Sequence, residues 1–297
     1  MTARPYRLFD VTLRRIEQLS PSLRRFTFGG RDVAHMRTCA PDQRIKIFFP
    51  DADGRAPALS KESWLADYQA MDAARRPPRR TYTIRHLRAD DLEVDIDFVL
   101  HGATGPASRW ALSTTIGDRL QIVAPDRHFA GDPGGYEWRP PKHLNQLLLL
   151  ADETALPAVA GILEELAARS NSLSIDAHLE VPLAEDRLSL PAWPSLRVHW
   201  HVRAKTGQRA GAALVEAAHK AALPAASQDD IELADIDIDH GILWETQAPP
   251  ADQNFYVWVA GEAGAVKTIR QILLKERGLS RAATNLMGYW RLGQVLE

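Results

Sequence analysis

The sequence has little of what most often moves electrons or grips metals. Cys39 is the single cysteine in 297 residues. One thiol excludes an internal disulfide, a Cys-X-X-Cys redox pair and a four-cysteine iron–sulfur cluster. Any electron traffic through this chain must therefore run on an organic cofactor. No stretch reaches the ~18 apolar residues of a membrane span, and MTARPYRLFD at the start has no apolar signal core. A cytoplasmic protein is the expectation. Charge of one sign is scarce too. The formal net charge is -2, which sets up no global field for nucleic acid or an anionic membrane. Internal repeats and heptads are missing. What remains is ordinary for a globular protein, with 45% apolar and 25% charged residues. The length suits two domains.

The densest chemistry lies between Arg79 and Ala111, RRTYTIRHLRADDLEVDIDFVLHGATGPASRWA. Arg80-Thr81-Tyr82-Thr83-Ile84-Arg85 places an aromatic and hydroxyls between arginines on a β segment. His101-Gly102-Ala103-Thr104-Gly105-Pro106-Ala107-Ser108 is a glycine turn entering a helix. Pro106 suits the first helical position, where its missing N–H has no partner to lose. The amides of Ala107 and Ser108 then point out of the helix, where the dipole favours a phosphate. Arginine offers a planar fork for phosphate oxygens, and Tyr82 a flat ring for a flat partner. Together these describe a site for a flavin with a pyrophosphate. Each piece alone reads equally well as solvated arginines and a plain helix cap. Between them, Glu93 to Leu100 alternates: Val94, Ile96, Phe98 and Leu100 face one way, and Asp95, Asp97 and Val99 the other.

Tyr6–Leu19, Leu23–Phe28, Arg44–Phe49 and Asp118–Val123 read as strands of an antiparallel barrel. Trp64 and Tyr68, four apart in the polar 51–78 insertion, suggest a short helix. Residues 126–141 are loop, and the domain boundary is placed there, giving domains 1–135 and 136–297. The second half changes character. Leu144–Leu150 is a continuous apolar run, as in a strand buried on both faces. Leu156, Val159, Ile162, Leu163 and Leu166 follow at helical spacing. Strands near Ser172–Val181, Leu196–Val202 and Phe255–Ala260 alternate with helices near 208–222 and up to Arg277. This pattern predicts a parallel α/β sheet. The polar, acidic stretch 223–252 reads as an excursion.

RTYTIR, DFVLHGATGPASRWA, ADETALP from Ala151 and the terminal WVAGEAGAVKTIR…GYWRLG resemble, in order, the siderophore-interacting protein family of FAD-dependent ferric-siderophore reductases. The likeness spans nearly the whole chain. It implies a ferredoxin-reductase-like architecture: an antiparallel FAD-binding β-barrel, then an NAD(P)H-binding α/β domain. It also implies an enzyme passing electrons from NAD(P)H through FAD to Fe(III) in a siderophore, releasing Fe(II). Two other readings stay open. One is a flavin-bearing ferric-siderophore-binding protein reduced by another donor such as ferredoxin. The other is a general flavin-dependent reductase. A monomer is expected.

By the same resemblance, Arg80 meets the pyrophosphate, Tyr82 lies against the isoalloxazine and Thr83 bonds its polar edge. Arg85, Asp97 and His101 help hold the cofactor, and Gly105, Pro106, Ala107 and Ser108 cradle phosphate. His101 alone reads equally as a strand-end cap. Asp152, Thr154 and Ala155, after a buried strand, stand where a parallel sheet takes a dinucleotide, but no GxGxxG is present, and both polar residues make good plain helix caps. Arg203 at a strand end is a candidate for a ribose phosphate, or a solvated cation. Trp290 packs on the flavin or in the core. Lys46, Lys267 and Arg270 fall on the positions of the family's basic cluster for an anionic iron chelate. Lys267 and Arg270, at i and i+3, share a helix face; taken alone, the three read more naturally as solvated cations. His199 and His201 share one face of a strand, but two ligands do not make a metal site. Iron is expected inside the substrate, with none bound by the protein's own ligands. Ala124-Pro125-Asp126-Arg127-His128 stands where a glycine-richer turn is expected, a departure from the family pattern.

Overall fold

The computed structural model describes residues 4–51, 53–100, 102, 105–169, 173–225, 236, 238, 241–247, 250 and 253–294. The chain divides into two compact units, with the division between Tyr136 and Glu137.

The first unit is a seven-stranded antiparallel sheet. Its elements are β1 (Tyr6–Ser20), β2 (Leu23–Gly29), β3 (Arg44–Phe48), α1 (Trp64–Ala70), β4 (Arg79–Thr83), β5 (His86–Arg88), β6 (Glu93–Val99), α2 (Pro106–Ser113) and β7 (Arg119–Pro125). The strand order is β4-β3-β7-β1-β2-β6-β5. The period-2 pattern decides which faces are buried. Val94, Ile96 and Phe98 enter a core with Phe9, Phe26, Phe28, Ile45, Ile47 and Trp110. Asp95 and Asp97, on the other face of β6, are satisfied sideways. Arg25 of β2 grips Asp97 through two hydrogen bonds of 2.7 and 2.9 Å, and Arg88 of β5 reaches Asp95 at 2.6 and 2.8 Å. β4 and β6 are not hydrogen-bonded neighbours, yet Tyr82 stacks on Phe98 with centroids 4.0 Å apart, so aromatic rings bridge the gap.

The second unit carries β8 (Gln146–Ala151), α3 (Leu156–Ala167), β9 (Ser174–Val181), β10 (Leu196–Val202), α4 (Arg203–Thr206), α5 (Ala212–Lys220), β11 (Trp244–Glu245), β12 (Phe255–Glu262), α6 (Ala263–Arg270) and β13 (Thr284–Trp290). The sheet order is β10-β9-β8-β12-β13-β11. Every pairing is parallel except β11 with β13. The sheet is the expected parallel one with a single antiparallel edge strand, β11. β13 is absent from the sequence reading. Its run Thr284-Asn285-Leu286-Met287-Gly288-Tyr289-Trp290 lacks the continuous apolar block that marks β8 and β12, and pairing with β12 makes it a strand. The chain leaves β8 in one direction to β9 and β10, then returns on the other side to β12. The β8/β12 boundary is thus the switch point, where open α/β sheets bind ligands at the strands' carboxyl ends. No helix among the described residues is long and apolar enough to cross a membrane.

Candidate functional site

In the first unit, β4 and α2 flank β6. Phe98 of β6 touches Tyr82 at 4.0 Å and Trp110 of α2 at 5.8 Å. The β3–β4 register pairs Ile45 with Tyr82 and Ile47 with Arg80, while Lys46 pairs with Thr81 and Arg44 with Thr83. Strand alternation then puts Tyr82 and Arg80 on the core face and Thr83 on the opposite one. Burial raises the Tyr82 hydroxyl pKa, against a smaller pull from Arg80, so the ring stays a neutral platform.

The start of α2 is open. Gly105 is its N-cap, no side chain caps it, and Pro106 occupies the first turn. Among the described residues, a Cβ built on Gly105 meets nothing within 4 Å. Space in front of uncapped amides fits a phosphate group, so these residues suit the pyrophosphate of FAD. Ala107 is buried and Ser108 half-buried. His101 lies outside the described residues.

Asp97 is 3% exposed and bound to Arg25 through both oxygens. Arg85, its side chain 7% exposed, lies 3.9 Å from Asp97 and is hydrogen-bonded to His86 at 2.8 Å. The two brace β6 against its neighbours.

The electrostatic anomaly is at Lys46. Burial lowers its ammonium pKa, and Arg79, Arg44 and Arg80 lower it further. Its amine donates to the Thr81 hydroxyl at 2.9 Å. Arg44 and Arg79 do not stand out in the sequence. Arg79 is seen there only as the neighbour of Arg80, and the β3–β4 register is what sets it on the face of Lys46.

In the second unit, Asp152 is the knot at the switch point. It is fully buried. Its Oδ1 accepts from the Thr154 amide at 2.9 Å; its Oδ2 accepts from the Glu262 amide at 2.8 Å and the Trp290 indole N–H at 2.7 Å. A Cβ on Gly261 would stand 2.6 Å from Oδ2, so only glycine lets β12 pass this close. Burial, then the charge of Glu153, pushes the Asp152 carboxyl up to about 7, opposed by the bonds from Thr154 and Trp290. Asp152 and Trp290 thus tie the ends of β8, β12 and β13 together. Ala155 is fully buried as well, which leaves Thr154 as the partly exposed member of the segment.

Arg203 does not await a phosphate. It donates twice to Glu153 and, at 2.9 Å, to Glu180, with both carboxylates buried. Arg270 is held in the same way. It is 4% exposed and bidentate to Glu245 of β11, with two bonds of 2.8 Å. The i,i+3 spacing holds, but Lys267 is half-exposed whereas Arg270 is spent inside the unit.

An antiparallel half-barrel with an open helix start, followed by a mixed sheet with a ligand-type switch point, defines a protein of the ferredoxin-reductase-like class. The FAD/NAD-binding domain of a Vibrio cholerae nitric oxide dioxygenase shares this fold at 15% identity, with TM-score 0.52 over 93% of this chain and 96% of that one. Residues 12–129 match the siderophore-interacting FAD-binding domain, and residues 144–293 match the siderophore-interacting protein model. The chain belongs to the siderophore-interacting protein family. An uncharacterised protein of Mycobacterium tuberculosis is 31% identical over all of this chain and 94% of its own. The ferric vibriobactin reductase ViuB of Vibrio cholerae is 25% identical over 98% of this chain and 91% of its own. The crystal structure of a siderophore utilization protein from T. fusca is 29% identical, with TM-score 0.74 over 98% of this chain and 95% of that one.

Proposed function

We propose that the protein is an FAD-dependent ferric-siderophore reductase, drawing electrons from NAD(P)H and releasing Fe(II) from an anionic iron chelate in the cytoplasm. The observation that carries the reading is Lys46. Among the described residues, the charged groups that lower its pKa are Arg79, Arg44 and Arg80. Concentrated positive charge on a half-buried face calls for an anion. The family match and the reductase name of the Vibrio relative support the chemistry.

The balance is NAD(P)H + 2 Fe(III) → NAD(P)+ + H+ + 2 Fe(II). Bound FAD supplies the conversion from a hydride to single electrons. The chain's own residues bind and orient. Arg80 and the Ala107 and Ser108 amides hold phosphate, and Tyr82, set by Phe98, presents its ring. Thr83 on β4 is assigned to the flavin's polar edge and Thr154 to the nucleotide at the switch point. Lys46 and, in the second unit, Lys267 each attract the chelate. Reduced iron fits hard oxygen donors less well, so the chelate loosens. No general acid, base or nucleophile is required.

Anaerobic mixing of the FAD-loaded protein with NADH and with NADPH tests the donor; bleaching of the flavin within seconds is expected. Bleaching by reduced ferredoxin alone would overturn the NAD(P)H assignment. Lys46→Ala should raise KM for an anionic ferric chelate about tenfold with kcat little changed, the signature of lost binding. An equal loss with a neutral chelate would sink the charge argument.

A further inference from the structure

The face of β9 and β10 away from the switch-point knot carries a histidine array that the reductase reading does not use. The parallel register sets His199 beside His178, with Asp176 two residues before His178 on the same face and His201 two residues after His199. β10 is an edge strand, so this face ends in solvent. The rings of His199 and His201 both lie nearly parallel to that of His178, with interplanar angles of 13° and centroids 4.5 and 5.3 Å away.

We propose that Asp176, His178 and His199 form a binding site for one divalent first-row transition cation. Their donor atoms lie within 4.8 Å of one another. Asp176 Oδ1 stands 2.8 Å from His199 Nε2 and 3.7 Å from His178 Nε2. Ligands held about 2.0–2.1 Å from a tetrahedral ion sit about 3.3 Å apart, and those two spacings bracket that value. The second observation is the carboxylate oxygen itself. Asp176 Oδ1 is buried and receives no well-formed hydrogen bond, although two imidazole nitrogens stand beside it. His199 Nε2 stands within hydrogen-bond distance of Oδ1 without pointing at it, so the three donor atoms are grouped without being spent on one another. Arg197 approaches the other oxygen, Oδ2, at 3.7 Å and leaves Oδ1 to the histidines.

The outer contact fits as well. His178 Nδ1 lies 3.1 Å from His201 Nε2. Metal-bound imidazoles commonly donate their second N–H to a neighbour, which fixes the tautomer. With His178 Nδ1–H donating to His201, the His178 Nε2 lone pair faces Asp176 and the ion. Two imidazoles and one carboxylate are a borderline donor set suited to Zn(II), Co(II) or Fe(II), and three ligands leave positions for water. β9 supplies two ligands and the edge strand one, so the ion would also pin the edge of the sheet.

Calorimetric titration of the EDTA-treated, FAD-loaded protein with zinc chloride tests this without any electron transfer. One ion per chain is expected, with Kd about 1 µM or tighter. Asp176→Asn and His199→Gln, made separately, should each weaken binding at least about tenfold, and His201→Gln less. His219→Gln, on α5, should leave it unchanged. No one-to-one uptake would overturn the site, as would full affinity in both Asp176→Asn and His199→Gln. So would equal weakening by His219→Gln, which would reveal diffuse surface uptake. Failure of the reductase assay would not touch this result, nor would loss of the ion touch the flavin assignment.

Discussion

The residues that separate most clearly are Lys267 and Arg270. Both lie on one helix face, yet one is half-exposed and the other is locked to Glu245. Removing one partner of a buried ion pair costs about 3 kcal/mol, and Arg281, which also reaches Glu245 at 3.3 Å, softens the loss. Arg270→Ala should therefore destabilise the protein by about 2 kcal/mol in urea unfolding, whereas Lys267→Ala stays within about 0.5 kcal/mol. If Arg270→Ala keeps full stability but raises KM for the chelate, its structural assignment is wrong. His178 gives a pH prediction. Burial lowers its pKa to about 4, opposed by Asp176 and reinforced by His199 and His201. The unfolded chain, with a histidine near its ordinary 6.5, then binds more protons than the folded one between those values. Stability of the metal-free protein should fall as pH drops from about 6.5 to about 4, by up to about 3 kcal/mol from this group. His178→Gln should flatten that slope, which urea midpoints at several pH values would measure.

Among the elements, α2 allows a sharp test. A helix start that is only structural gains from an added carboxylate, by about 0.3–1 kcal/mol. A phosphate cradle loses its ligand to the same charge. Ser108→Asp should keep or raise the apoprotein's melting temperature while weakening FAD binding at least about tenfold, read by flavin fluorescence. Undiminished FAD affinity would reduce α2 to scaffold. β4 shows the other lesson of this scale. RTYTIR announces a strand by its alternation, but its neighbours are set by register. Pairing with β3 brings Arg79 and Arg80 to Lys46 and divides Tyr82 from Thr83.

For the whole molecule, each unit has its own buried core, Phe9 through Ala124 in the first and Leu148 through Leu286 in the second. A ligand that binds only folded protein adds about 2.7 kcal/mol at a hundredfold excess over Kd. Saturating FAD should therefore raise hydrogen-exchange protection most across β4, β6 and α2. A uniform rise over both units, or none, would contradict a flavin site built on the first unit's residues.

The sequence by itself determined what local periodicity and turn chemistry encode. Alternation marked β6, the apolar run marked β8, and Gly105-Pro106 marked the start of α2. The ordered blocks carried the family, and the single cysteine removed an internal disulfide and a four-cysteine iron–sulfur cluster. Only the tertiary structure decided which charges are available and which are spent. Arg203 by its strand end, Arg270 and Asp97 by the family resemblance, and Asp152 by its place after a buried strand are ligand candidates in the sequence. Their partners, Glu180, Glu245, Arg25 and Trp290, lie 23 to 138 residues away. The same holds for the histidines. His199 and His201 stand two apart in the sequence, but the Asp176 and His178 that complete the group come from the neighbouring strand β9. A side chain's partner is fixed by register and packing across the sheet, and neither is written in the order of residues along one strand.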